Sequence, residues 1–144
     1  MFDLDVDDRL AAWSDLRKSL SASCSPLQDI VTFWSKTPFV AFNHRIDPFY
    51  QASWPTPWEI IVENQYDDFT KAVMMGYTLL LTDRYKDSQV QIKTLVDTTK
   101  NRLYNVLCVD DTWALNYSDN EVVLVDNIPS LYNLENLVNL ERPR

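Results

Sequence analysis

The 144-residue sequence contains one glycine, Gly76. Phosphate-cradling loops of the GxxxxGK and GxGxxG kinds need several glycines close together, so nucleotide-hydrolase and dinucleotide-binding readings are excluded. It contains one histidine, His44, which argues against a histidine-rich zinc site. Two cysteines, Cys24 and Cys108, make no disulfide framework, and free thiols in a reducing cytoplasm are expected. There is no basic stripe. With 21 acidic and 13 basic side chains the net charge is −8, which repels phosphate backbones, so no nucleic-acid partner is expected. No apolar run approaches the roughly 18 residues of a membrane span, so no membrane partner is expected either. The start, Met1-Phe2-Asp3-Leu4-Asp5, is acidic and lacks the basic and then apolar stretch of a secretory leader.

What is present is apolar and aromatic. The 46% hydrophobic content, with five Trp, seven Tyr and six Phe, is too high for a disordered chain. One domain over 1–144 is expected, with a helical and aromatic-loop part (1–53), a core (54–125) and a tail (126–144).

Val6, Leu10, Trp13, Leu16 and Leu20 recur at three- and four-residue steps, which predicts an amphipathic helix over about 5–21. Ser25-Pro26 reads as a cap and first turn of a second helix to about Ser35. Between Thr37 and Pro57 lie Pro38, Pro48, Pro55 and Pro57, a density that no helix survives. Phe39, Phe42, Phe49, Tyr50 and Trp54 make this an ordered loop pinned by aromatics, since flexible linkers lack them. Thr56-Pro57-Trp58-Glu59 has the spacing of a capping box and starts a short helix to about Glu63. From Asp67 to about Leu81 nearly every face is apolar, which predicts a long buried helix.

Strands are expected at Val90–Val96, Arg102–Val109, Trp113–Tyr117 and Val122–Val125, joined by tight turns into an antiparallel meander. The tail after Pro129 is expected to be a short helix or an extended segment covering the sheet. The class is α+β: N-terminal helices, and a central buried helix on an antiparallel sheet of three to four strands.

The order of capped short helix, break, long buried helix and strands carries local signatures. The sequence reads Trp54-Pro55-Thr56-Pro57-Trp58-Glu59, then Asn64-Gln65-Tyr66-Asp67-Asp68-Phe69, then Tyr104-Asn105-Val106-Leu107, then Asp111-Thr112-Trp113-Ala114-Leu115-Asn116. These segments resemble the bacterial transglutaminase-like, papain-related cysteine proteinases. That family has W-x-T-P-x-E, G-D-C-E-D-F at the central helix, a strand-starting histidine, and an Asp or Asn after a D-x-W turn. The likeness spans about Trp54 to Val125, and the link from Glu59 to Phe69 is two residues shorter than in the family. It implies a thiolate at the helix start, an imidazole in reach, and a group that orients the ring. In this sequence the cysteine position falls on Tyr66, or on Asp67 if the gap moves by one. The histidine position falls on Asn105 and the orienting position on Asn116. A phenol and two carboxamides run no proton relay, so the resemblance implies an inactive scaffold with a relic groove at Tyr66, Asp67, Asn105 and Asn116.

Other candidates are weaker. Cys24 and His44 are the remaining thiol–imidazole pair and make a residual cysteine hydrolase or acyl transferase the alternative. Cys108, alternating in a strand, reads as core. Asp110-Asp111 reads as a hairpin turn, and Asp67-Asp68 as a complement to the helix dipole. Neither has the alternating ligands and glycine bend of a calcium loop, so no metal and no cofactor are expected. Phe49, Tyr50, Trp54 and Trp58 are candidate interface residues. The expected function is a non-catalytic interaction or assembly subunit with a protein partner or self-assembly, or a small-molecule module in the relic groove. The W-P-T-P-W-E block is also similar to small proteins of unassigned role in tailed bacteriophages of marine cyanobacteria. That similarity implies an accessory or virion-associated role, in host cytoplasm or virion.

Overall fold

The computed structural model describes residues 1–143. Helix α1 spans Val6–Ser19, α2 Pro26–Trp34, α3 Pro57–Glu63 and α4 Asp68–Leu80. Strands follow at β1 Val90–Asp97, β2 Arg102–Val109, β3 Trp113–Ser118, β4 Glu121–Leu124 and β5 Asn133–Leu140. They form one antiparallel sheet in the order β4-β3-β2-β1-β5. The class is α+β as the sequence predicts, with one strand more than expected. The tail neither turns helical nor lies over the sheet. It pairs beside β1 along its length and becomes an edge strand.

The caps explain where the helices begin. Thr56 and Glu59 exchange hydrogen bonds in a complete capping box at α3. Asp67 caps α4, its Oδ1 accepting from the Thr70 amide at 2.7 Å. With a single glycine, every left-handed backbone position among the described residues falls to Asn or Asp, the residues that tolerate it best: Asn64, Asn101, Asp110, Asp111, Asn116 and Asn120. Asp110 and Asp111, both at positive φ, form the predicted β2–β3 turn.

Helix α4 is the centre of the molecule. From Phe69 to Leu80 every side chain except Lys71 is buried. Val90, Ile92, Leu107, Val109, Leu115, Val138 and Leu140 meet it from one face of the sheet. On its other side Trp13 of α1 and Trp34 of α2 each donate an indole N–H to the Thr78 hydroxyl, at 3.0 and 3.2 Å. Gly76 lets the sheet approach closely. A Cβ there would collide with a Leu140 methyl. The back of the sheet buries Val106, Cys108 and Ala114 under Val125 and Ile128.

Candidate functional site

Strand pairing sets a polar row across the helix-facing side of the sheet. Asn105 of β2 pairs with Thr94 of β1, and Thr94 pairs with Asn136 of β5. On β3 the ladder to β2 stops at Leu115, and the next residue, Asn116, takes φ 65° while the β3–β4 register shifts. This irregularity breaks the alternation of the strand, so Leu115 and Asn116 in succession reach the helix side. The row lies where α4 starts.

Asp68, the first residue of α4, closes the row from above. Its Oδ2 accepts from the Asn105 Nδ2 at 3.0 Å, and its Oδ1 accepts from the Asn116 Nδ2 at 3.3 Å. The Asn116 amide also donates to the Asn105 backbone carbonyl at 2.9 Å. The Thr94 hydroxyl donates to the Asn105 Oδ1 at 2.9 Å. A half-buried carboxylate at a helix N-terminus, facing amide donors, is favoured by the dipole and by charge-assisted hydrogen bonds. Chemically, the cluster orients amides and holds one carboxylate. Among the described residues no thiol or imidazole belongs to it.

Of the four predicted groove residues, the structure brings two together, Asn105 and Asn116. Asp67 lies one residue outside the cluster. Besides capping α4 it accepts from the Asn43 amide at 3.0 Å and so anchors the aromatic loop. Tyr66 points away, into an aromatic group with Phe2 and Trp34. It is 1% exposed, its hydroxyl has no hydrogen-bond partner, and burial pushes its pKa well above the usual phenol range. The residue that sequence reading missed is Asp68. The adjacent Asp67-Asp68 pair and the short link before Phe69 were the available signals, because sliding that link by two residues puts Asp68 at the helix start.

Cys24 and His44 do not meet. Ser23 beside Cys24 accepts from Arg84, just past the end of α4, whereas Asn43 beside His44 is tied to the cap at the start. The 13-residue helix between them is about 20 Å long, which rules out a nucleophile–base pair. The Cys108 thiol is buried on the back of the sheet, and burial raises its pKa. Among the candidate interface aromatics, Phe49 and Tyr50 are exposed at 78% and 62%. Trp54 and Trp58 are half-buried props. Trp54 stands edge-on to Phe69 and Trp58 edge-on to Trp13.

Two depressions flank the cluster. One, of about 240 Å³, runs from Asn116 to Lys71 and Ser35. The other, of about 410 Å³, runs from Asn105 past Phe69 and Phe49 to Leu103 and Glu135. Among the described residues, no three His, Cys, Asp or Glu side chains converge to hold a metal ion, and no helix is long and apolar enough to cross a membrane.

No protein-family model matches the sequence, and no curated protein matches it. Among solved structures the chain superimposes on calcium-bound LapG of Legionella pneumophila, a transglutaminase-like cysteine protease. The TM-score is 0.68 at 20% identity, over 95% of this chain and 75% of that one. The fold is transglutaminase-like. At that identity the likeness extends to the architecture and no further.

Proposed function

We propose that the chain is a binding or assembly protein on a transglutaminase-like scaffold, without the scaffold's proton-transfer chemistry. The observation that carries this reading is the Asp68–Asn105–Asn116 cluster. In this reading Asp68 stands where a catalytic cysteine would open the central helix, Asn105 where the imidazole would lie, and Asn116 where the orienting group would lie. Carboxamides neither take nor give a proton near neutral pH, and the one carboxylate, Asp68, faces amide donors and no thiol or imidazole, so the cluster lacks a nucleophile–base pair. The site is a polar floor between two depressions, and the exposed Phe49 that lines one of them, followed by the exposed Tyr50, suits a protein partner.

The test is turnover. Purified protein is incubated with fluorogenic peptides and, separately, with a labelled primary amine and a glutamine-rich acceptor. The expected result is no product above buffer. Turnover abolished by Asp68→Asn or by Cys24→Ser would sink the reading. A cytoplasmic location, and the accessory or virion-associated role that the Trp54–Glu59 block suggests, are tested by sedimentation from the native source. Co-sedimentation with particles supports the role, and its absence refutes it.

A further inference from the structure

The sheet runs past the start of α4. Beyond the polar row, Val96 of β1 and Leu103 of β2 are paired and have no helix above them. The aromatic loop partly takes the helix's place. Asn136 donates to the Pro48 carbonyl at 3.1 Å, and Trp54 donates to the Asp47 carbonyl at 2.6 Å while standing on Phe69. Between loop and sheet lies the 410 Å³ slot, with Phe49, Phe69, Val96 and Leu103 as its apolar walls.

One charge lines this slot. In the β1–β5 ladder Thr94 pairs with Asn136 and Leu95 with Leu134, so Glu135 has no partner and is a bulge. A bulge re-aims the side chain of its extra residue, and among the described residues Glu135 is the one charged residue that lines the slot. It is exposed and forms no ion pair among the described residues. The amides at the floor are already engaged. Asn105 bonds Asp68 and Thr94, and Asn136 bonds Pro48 and the Leu137 amide. What remains unsatisfied is an apolar trough ending in a carboxylate. The side chains complementary to that shape and charge have an aliphatic stem and a cationic head.

We propose that the slot takes the side chain of a lysine or arginine from an extended segment of a partner protein, with the stem between Phe49 and Leu103 and the head at Glu135. This rests on the binding reading above and names the partner's chemistry. Charge complementarity selects the occupant. The chain's net charge of −8 adds long-range attraction for a basic segment. The exposed Phe49 ring supplies a wall for the cation and for backbone packing.

The experiment is an array of capped hexapeptides in which every residue type is placed at each position, probed with labelled full-length protein. The best peptide is then measured by fluorescence anisotropy. The expected array result is enrichment of Lys or Arg at one position. Glu135→Lys is expected to weaken the selected peptide about tenfold or more and Glu135→Gln about threefold, both effects shrinking as salt rises. Leu103→Asp, a surface change, is expected to abolish binding. An array without Lys or Arg enrichment, or a Glu135→Lys protein that binds unchanged, overturns the proposal. So does spermidine displacing the peptide at equal or lower concentration, which would assign the slot to small polyamines. Catalytic turnover in the earlier assay would end the non-catalytic reading while leaving the array result standing.

Discussion

Thr78 is the polar hinge on which two layers of the molecule turn. Its Oγ1 accepts from the buried indoles of Trp13 and Trp34 and donates to the Met74 carbonyl at 2.6 Å. All three bonding directions of the hydroxyl are therefore used, at a residue and two tryptophans that are each 0% exposed. Thr78→Val keeps the volume, removes the acceptor, and leaves two indole donors sealed from water. Each buried donor without a partner costs about 1–3 kcal/mol, so the expected loss is about 2–6 kcal/mol. Thr78→Ser keeps the hydroxyl and loses one methyl, for about 1 kcal/mol. The assay is urea unfolding followed by tryptophan fluorescence. At a slope of roughly 2 kcal/mol per molar, Thr78→Val shifts the midpoint down by about 1–3 M and Thr78→Ser by about 0.5 M. Equal midpoints for the two variants would refute the argument, because packing alone would then account for both.

Four further outcomes follow from single observations. Tyr66→Phe removes a buried hydroxyl with no partner and is expected to leave stability unchanged or raise it by up to about 1 kcal/mol, read by the same unfolding curve. Burial raises the Tyr66 pKa, so its contribution is complete below the unfolded phenol value near 10 and is lost as pH rises through the higher folded value. The phenylalanine variant is therefore expected to lose less stability between pH 9 and 11. Hydrogen bonding from the Thr56 backbone and side chain lowers the Glu59 pKa, so its contribution is present above about pH 4.3 and fades as pH falls through the lower folded value. The stability gap between wild type and Glu59→Gln is expected to close between pH 6 and 3. Gly76→Val is expected to cost about 2–3 kcal/mol by overpacking against Leu140 and Leu107, and about half of that in a Leu140→Ala background, measured as a double-mutant cycle.

Much of the fold is legible in the sequence because local chemistry and periodicity agree there. The Thr56–Glu59 capping box, the apolar run of α4 and the Arg102–Val109 strand are each set by side chains within a few residues of one another. The tail is less legible. Asn133–Leu140 alternates well enough for a strand, but its place beside β1 depends on partners 37 to 50 residues away, and the Glu135 bulge interrupts its period. The site is legible only in part, for a geometric reason. Residue identity showed that neither Asn105 nor Asn116 can run acid–base chemistry. Which member of the Tyr66-Asp67-Asp68 run faces them depends on where the first helical turn begins. The Asp67 cap fixes that start two residues later than the motif spacing implies, turning Tyr66 inward and Asp68 to the sheet.

That rotation gives the polar row its meaning. A row of Asn, Asn, Thr and Asn across four strands interrupts an otherwise apolar helix–sheet contact, and buried polar groups cost stability unless they are paired. Asn116 reaches the row through a left-handed residue in an irregular strand, and Glu135 reaches the adjoining slot through a bulge. A row serving only to close the end of the core would be served as well by apolar residues in regular strands, as happens at Leu107 and Ile92 two pairs further along. Two backbone departures at the same end of one sheet, on strands that are not neighbours, turn Asn116 to Asp68 at the start of α4 and place Glu135 at the slot under the aromatic loop. The physical argument for a binding role therefore rests on backbone geometry spent on an orientation that packing alone does not require.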